Sequence, residues 1–99
     1  IYMRDYGAVY ILANKKEGVL YIGVTSNLLA RIYQHREGQV EGFSKKYHVK
    51  NLVYYELYDQ ITDAIHREKR LKKYKRAQKI ALIERENAAW EDLFPRIAL

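Results

Sequence analysis

The sequence predicts an α+β domain, a small antiparallel or mixed three-stranded sheet flanked by helices. Three observations lead there. The segments Gly7-Ala-Val-Tyr-Ile-Leu12, Val19-Leu-Tyr-Ile-Gly-Val24 and Asn51-Leu-Val-Tyr-Tyr-Glu-Leu-Tyr58 are rich in β-branched and aromatic residues, the types that suit a pleated, half-buried surface. Between and after them, apolar residues recur at helical spacing, first around Leu28 and Ile32 and then around Ala64 and Leu71. A chain of 99 residues that is 48% hydrophobic suffices for one core and is too short for two. Residues 4–94 are therefore expected to form a single domain. Residues 1–3 are expected to be a tail in which Met3 begins the natural chain, and residues 95–99 a second tail.

The first two runs are joined by Asn14-Lys-Lys-Glu-Gly18, which reads as the loop of an antiparallel hairpin. If that loop is centred between Lys15 and Lys16, Tyr10 lies opposite Tyr21 and both phenols stand on one face of the sheet. Taken on the hairpin alone, ordinary sheet packing accounts for both more simply. Ser26 or Asn27 can cap a helix from about Leu28 to Glu37, with Gly38 as its stop. Leu28, Ile32 and His35 share its inward stripe, and Arg31 sits at the border of that stripe. Four residues apart on a helix, Arg31 and His35 are neighbours that can aim at one anion. The turn before the helix carries Gly23, Thr25 and Asn27, and a strand end meeting a helix start commonly makes an anion site.

Residues 37–50 lack a sustained period and contain Gly38 and Gly42, so they read as a loop in which Ser44, Lys45, Lys46 and His48 are placed to touch a ligand. The third run is apolar on both faces and is expected to be the central strand. Thr62 or Asp63 begins a second helix, with Ile61 just ahead of it and Ala64, Ile65, Glu68 and Leu71 as its stripe. Glu68 breaks the pattern, because it puts a carboxylate in the middle of the inward face. A buried carboxylate needs a partner to stay charged, so Glu68 is expected to meet a cation. An ion pair with Arg31, or with a basic residue of its own helix, would satisfy it as well. A bend at Tyr74 to Ala77, a continuation to Glu86, Asn87 as C-cap, a closing apolar turn at Trp90, Leu93 and Phe94, and Pro95 ending regular structure complete the chain.

The net charge is +6, and eight Lys or Arg against one acid lie between His66 and Lys79, so that segment holds +7 and the remainder −1. One basic stripe on a near-neutral body suits a polyanion, and nucleic acid is favoured over an anionic membrane because no bulky apolar face accompanies the charge. A merely solvated helix face would look the same. The absence of Cys excludes a disulfide framework and thiolate metal sites. No apolar run approaches the length of a membrane span, and a soluble cytoplasmic protein is the expectation.

Tyr10, the Tyr21-Ile22-Gly23 triplet, Arg31, His35, Glu68 and Asn87, in that order and spacing, resemble the GIY-YIG nuclease family, in particular its small stand-alone bacterial members. Arg67-Glu-Lys-Arg-Leu-Lys72 and Trp90-Glu-Asp-Leu93 are similar to segments of those members. The first motif reads Ala8-Val9-Tyr10 in place of Gly-Ile-Tyr, with the tyrosine kept, and Asn87 is followed by Ala88 where relatives tend to carry proline. The resemblance implies the GIY-YIG fold and a DNA endonuclease using one Mg²⁺ or Mn²⁺ held by Glu68, acting in repair, recombination or defence. It also implies Arg31 clamping the scissile phosphate, Tyr10 as general base, and Tyr21 and His35 orienting the water or taking its proton. Cationic neighbours, Arg31 and His35 among them, are expected to lower the phenol pKa. Substrate-binding residues are expected at Gly23, Thr25, Asn27, Lys45, Lys46, Arg67, Lys69, Lys72, Lys73, Arg76 and Asn87. No base-reading module is present, so specificity would come from substrate shape, the loop at 37–50 or a protein partner. The competing expectation is a weakly active or non-catalytic nucleic-acid-binding module on the same scaffold. A protein scaffold binding through Glu84, Glu86, Glu91 and Asp92 has only their charge in its favour.

Overall fold

The computed structural model describes residues 6–98; residues 1–3, expected to be a tail, lie outside that range. Strands β1 (Gly7–Ala13), β2 (Leu20–Thr25) and β3 (Asn51–Tyr58) form an antiparallel sheet in the order β2-β1-β3. Helix α1 (Leu28–Arg36) and the short helix α2 (Phe43–Lys46) follow β2. Helices α3 (Ile61–Lys72) and α4 (Arg76–Glu86) follow β3, and α5 (Phe94–Ile97) ends the described chain. The fold is α+β, as expected.

The sheet separates two apolar layers. Val9, Ile11, Ile22, Val53 and Tyr54 pack with Ala64, Leu71, Leu82, Ile83 and Trp90 on one side. Ala8, Tyr10, Leu12 and Leu52 pack with Leu28, Ile32, Val49 and Leu93 on the other. Alternation along a strand sends successive residues to opposite layers. A register shift in the β1–β3 ladder, where Ile11 faces Tyr54 and Leu12 faces Leu52, leaves Val53 as an extra residue. This bulge lets Val53 and Tyr54 enter the same layer. At Gly7 a Cβ would lie 2.8 Å from the Ala64 Cβ and from the Ile61 Cα, so the missing side chain is what allows α3 to press against the start of β1.

Several local expectations are corrected. The central strand is β1, every residue of which is buried. β3 is an edge strand whose outer rim is covered: Leu93 N–H donates to the Leu52 carbonyl at 2.7 Å, Asp92 accepts from Leu52 N–H at 3.1 Å, and the Asn87 amide donates to the Val53 carbonyl at 3.0 Å. Covering an edge in this way removes its pairing hazard and gives the strand the two-sided apolar content of a central one. The hairpin register pairs Tyr10 with Gly23, two residues beyond the expected Tyr21. The Asn14 side chain accepts from Val19 N–H at 2.8 Å and Gly18 N–H closes a turn onto the Lys15 carbonyl at 2.9 Å, which centres the loop one residue later than expected. A slip of two preserves the faces.

Helix α1 is capped by Asn27, whose side chain accepts from Ala30 N–H at 3.2 Å. Helix α3 begins at Ile61, which is its first residue rather than its predecessor, and the chain bends between Lys73 and Lys75 before α4. Residues 37–50 are not all loop, since they contain α2. Pro95 does not end regular structure. It sits in the first turn of α5, where its missing N–H costs nothing, and Phe94 and Ile97 pack on the core.

Candidate active site

The Tyr10 side chain leaves the middle of β1 and crosses the backbone of β2 at Gly23. A methyl group at position 23 would overlap the phenol oxygen and reach 2.9 Å from Cε2, so glycine is required there for clearance. Tyr21 stands on the same face, its ring centroid 6.3 Å from that of Tyr10. Helix α1 adds His35 from the layer above, with Nε2 3.0 Å from the Tyr10 hydroxyl and the ring 5.3 Å from that of Tyr21. On its other side, His35 Nδ1 lies 2.9 Å from Ser44 Oγ on α2. His35 and Ser44 are both buried, and the hydroxyl, imidazole and hydroxyl form one hydrogen-bonded row.

Burial sets the electrostatics of this row. It pushes the Tyr10 phenol up to about 12; the nearby Arg31 guanidinium acts the other way, and the charges of Tyr21 and Glu68 add to the rise. His35 is lowered to about 4, by burial first and by the Arg31 charge second. Two expectations are thereby corrected. His35 is neutral near pH 7 and supplies no positive field, and Arg31 favours the phenolate without overcoming desolvation. With the proton on Tyr10, Nε2 is assigned as the acceptor and Nδ1–H as donor to Ser44 Oγ.

Glu68 projects from the inward face of α3 and is 9% exposed. Its cation is Lys72, one turn along the same helix, at 2.6 Å. One of the alternatives left open by the sequence is therefore the one realised. Its charge still reaches the Tyr10 hydroxyl from the far side of the sheet. Among the described residues no cluster of three or more His, Asp or Glu gathers as a metal cage. A single carboxylate suits a hard divalent cation that keeps most of its waters and shares the phosphate oxygens. The donor set thus fits one such ion at Glu68, with Lys72 as its competitor.

The remaining expected substrate contacts divide by what their side chains already hold. Gly23 is buried beneath Tyr10. Thr25 Oγ1 accepts from Asn27 N–H at 3.0 Å, and Asn27 caps α1, so both shape the turn. Arg67 is committed to Glu56 through Nε at 2.9 Å and Nη2 at 3.0 Å. Arg76 donates to the Glu17 and Gly18 carbonyls at 2.6 and 2.7 Å, pinning the hairpin loop. Asn87 is buried and its amide spans the Val53 carbonyl and both backbone groups of Glu91. Arg67, Arg76 and Asn87, expected to bind substrate, thus also hold the protein's own carboxylate and carbonyl groups. Lys45, Lys46, Lys69, Lys72 and Lys73 are exposed, with Lys45 paired to Glu41 at 3.0 Å.

Two features escaped sequence reading. Ser44 had been expected to face a ligand, and instead it holds His35; nothing local distinguishes those roles. Tyr54, Glu56 and Tyr58 alternate on one face of β3, and both phenols donate to Glu56, Tyr58 at 2.7 Å. Burial alone would raise the Glu56 pKa, but the hydrogen bonds from Arg67, Tyr54 and Tyr58 outweigh it and leave the carboxyl below its usual value. The period-two spacing of these three residues was the available signal.

Comparison with known proteins shows the family and the fold. The family model described as the GIY-YIG catalytic domain matches residues 6–81. UPF0213 proteins of Staphylococcus aureus strains Mu3 and N315 are each 36% identical over 80 residues, covering 81% of this chain and 96% of the relative. The solution NMR structure of the UPF0213 protein from Bacillus halodurans superposes with a TM-score of 0.55 at 25% identity, covering 88% of this chain and 92% of that one. No helix among the described residues is long and apolar enough to cross a membrane. The chain belongs to the GIY-YIG nuclease family, as a small UPF0213-like member.

Proposed function

We propose that the chain is a divalent-metal-dependent endonuclease that hydrolyses phosphodiester bonds in DNA. The observation that carries this reading is the Tyr10–His35–Ser44 row, with Arg31 and Glu68 both within electrostatic reach of the Tyr10 hydroxyl. A folding core has no use for a buried phenol bracketed by a guanidinium and a carboxylate, whereas phosphodiester hydrolysis needs a proton acceptor, an anion clamp and a cation holder together.

Arg31 clamps the scissile phosphate with its planar fork of donors. Tyr10 takes a proton from the attacking water as the water oxygen bonds to phosphorus, and its own hydroxyl proton passes to His35 Nε2. Ser44 accepts from Nδ1–H and so keeps Nε2 available. The phosphorus–oxygen bond to the leaving sugar breaks, the departing alkoxide takes a proton from solvent water, and His35 gives its proton back to solvent, which restores the neutral imidazole. One Mg²⁺ or Mn²⁺ at Glu68 would supply positive charge to the non-bridging and leaving oxygens. Tyr21 closes the site over the imidazole. Lys69 and Lys73, with Lys72 once it is released from Glu68, contact backbone phosphates without reading bases.

A second reading, a nucleic-acid-binding module with little or no activity, draws on the 2.6 Å Lys72–Glu68 pair, which occupies the carboxylate that an ion would need. Nicking of supercoiled plasmid in Mg²⁺, in Mn²⁺ and in EDTA, with Glu68→Ala compared and binding measured on the same samples, separates the two. Metal-dependent nicking lost in the variant with binding retained supports the nuclease. Equal binding by both proteins with no cleavage by either supports the module.

A further inference from the structure

Two aromatic side chains at α2 reach solvent: Phe43, the first residue of the helix, is 48% exposed and Tyr47, its C-cap, 42%. Their ring centroids are 4.8 Å apart. Phe43 stacks on Tyr21, with 6.4 Å between centroids and 23° between planes. Tyr21 packs on His35, and His35 on Tyr10. The rings therefore form one continuous row running from the buried phenol to solvent. Lys45, paired to Glu41 at 3.0 Å, and Lys46 belong to the same helical turn, and the Lys46 ammonium lies 5.4 Å from the Tyr47 ring centroid.

A helix needed only to present Ser44 to His35 would be served by polar residues at 43 and 47. Exposed rings that touch the candidate site, flanked by ammonium groups, have the chemistry of a stacking platform for nucleobases, since every base has a π-face and every nucleotide a phosphate. A paired base in a duplex offers only its edges, because its faces are occupied by its neighbours. A base that has left its stack offers a face.

We infer that Phe43 and Tyr47 form a shelf that stacks an unpaired DNA base beside the phosphate held at Arg31, so that the site prefers DNA with unpaired nucleotides at the cleavage point. This rests on the DNA nuclease reading and names its substrate class. Duplex DNA, with its base faces covered, engages the lysines alone.

The test is binding in EDTA, by fluorescence anisotropy, of a single-stranded oligodeoxynucleotide and a blunt duplex of the same length. The wild-type chain is compared with a Phe43→Leu, Tyr47→Leu double variant, which keeps apolar bulk and loses the π-faces. A 2-aminopurine in the single strand reports stacking by quenching, and circular dichroism checks the fold. Stacking of one base corresponds to roughly five- to 150-fold in affinity. The expected result is about ten-fold weaker binding of the single strand and lost quenching, with duplex binding unchanged. Unchanged single-strand binding, or an equal loss on both DNAs, overturns the shelf. Because no metal is present, these outcomes are independent of cleavage. A chain that binds and quenches as expected yet never nicks DNA in Mg²⁺ or Mn²⁺ would keep the shelf and remove the nuclease.

Discussion

Tyr10 and Gly23 face each other across β1 and β2, and the phenol occupies the space that a side chain at 23 would need. The glycine of the Tyr21-Ile22-Gly23 triplet is therefore a steric condition on the tyrosine of the first strand. Gly23→Ala is expected to displace the Tyr10 ring and separate its hydroxyl from His35. Overpacking of a filled core costs about 1–3 kcal/mol, measurable by urea denaturation, and nicking activity should fall by more than stability alone accounts for. An alanine variant that keeps full stability and activity would contradict this placement.

His35 makes folding sensitive to acid. Its folded pKa, about 4, lies below the ordinary 6.5, so between those values the unfolded chain binds the proton that the folded chain refuses. Stability is fully present above pH 6.5 and is lost as the pH falls toward 4. The total is about 3 kcal/mol, with a slope approaching 1.4 kcal/mol per pH unit. Urea midpoints at pH 7 and pH 4.5 measure it. His35→Gln, which keeps a hydrogen-bonding side chain without this titration, should flatten that part of the profile; an unchanged slope would assign the acid loss to other groups.

Arg67 belongs to the basic stripe by sequence, and in the structure it is the partly buried partner of Glu56. It and Glu56 share two hydrogen bonds, and their side chains are each only 17% exposed. Removing Arg67 leaves Glu56 a half-buried carboxylate held only by the Tyr54 and Tyr58 hydroxyls. Arg67→Ala is expected to cost about 2–4 kcal/mol of stability, with DNA affinity and its salt slope left nearly intact at a temperature where the variant is folded. Lys69→Ala and Lys73→Ala should do the reverse, each leaving stability within about 0.5 kcal/mol and lowering the salt slope by about one. Anisotropy across a salt series, with urea denaturation alongside, separates the two classes.

The sequence by itself determined the α+β class, the three strands, the helices after Asn27 and around Glu68 and the family, because short-range periodicity and the spacing of Tyr10, Tyr21, Gly23, Arg31, His35 and Glu68 are local properties of the chain. It also placed Glu68 on an inward face, since a break in a helical apolar stripe is visible without coordinates. Tertiary structure alone decided the rest. Which strand is central depended on residues 87–93 returning to cover the β3 edge. Which basic residues still face solvent depended on Arg67 meeting Glu56 from 11 residues away and Arg76 meeting a hairpin loop 58 residues earlier. The protonation of Tyr10 and His35 followed from burial, a quantity no single segment possesses. Ser44, nine residues from His35 and equally at home in an exposed loop, acquired its place only when α2 folded back over α1. A hydrogen bond or a desolvated charge belongs to the packed molecule, whereas a periodic pattern belongs to the chain.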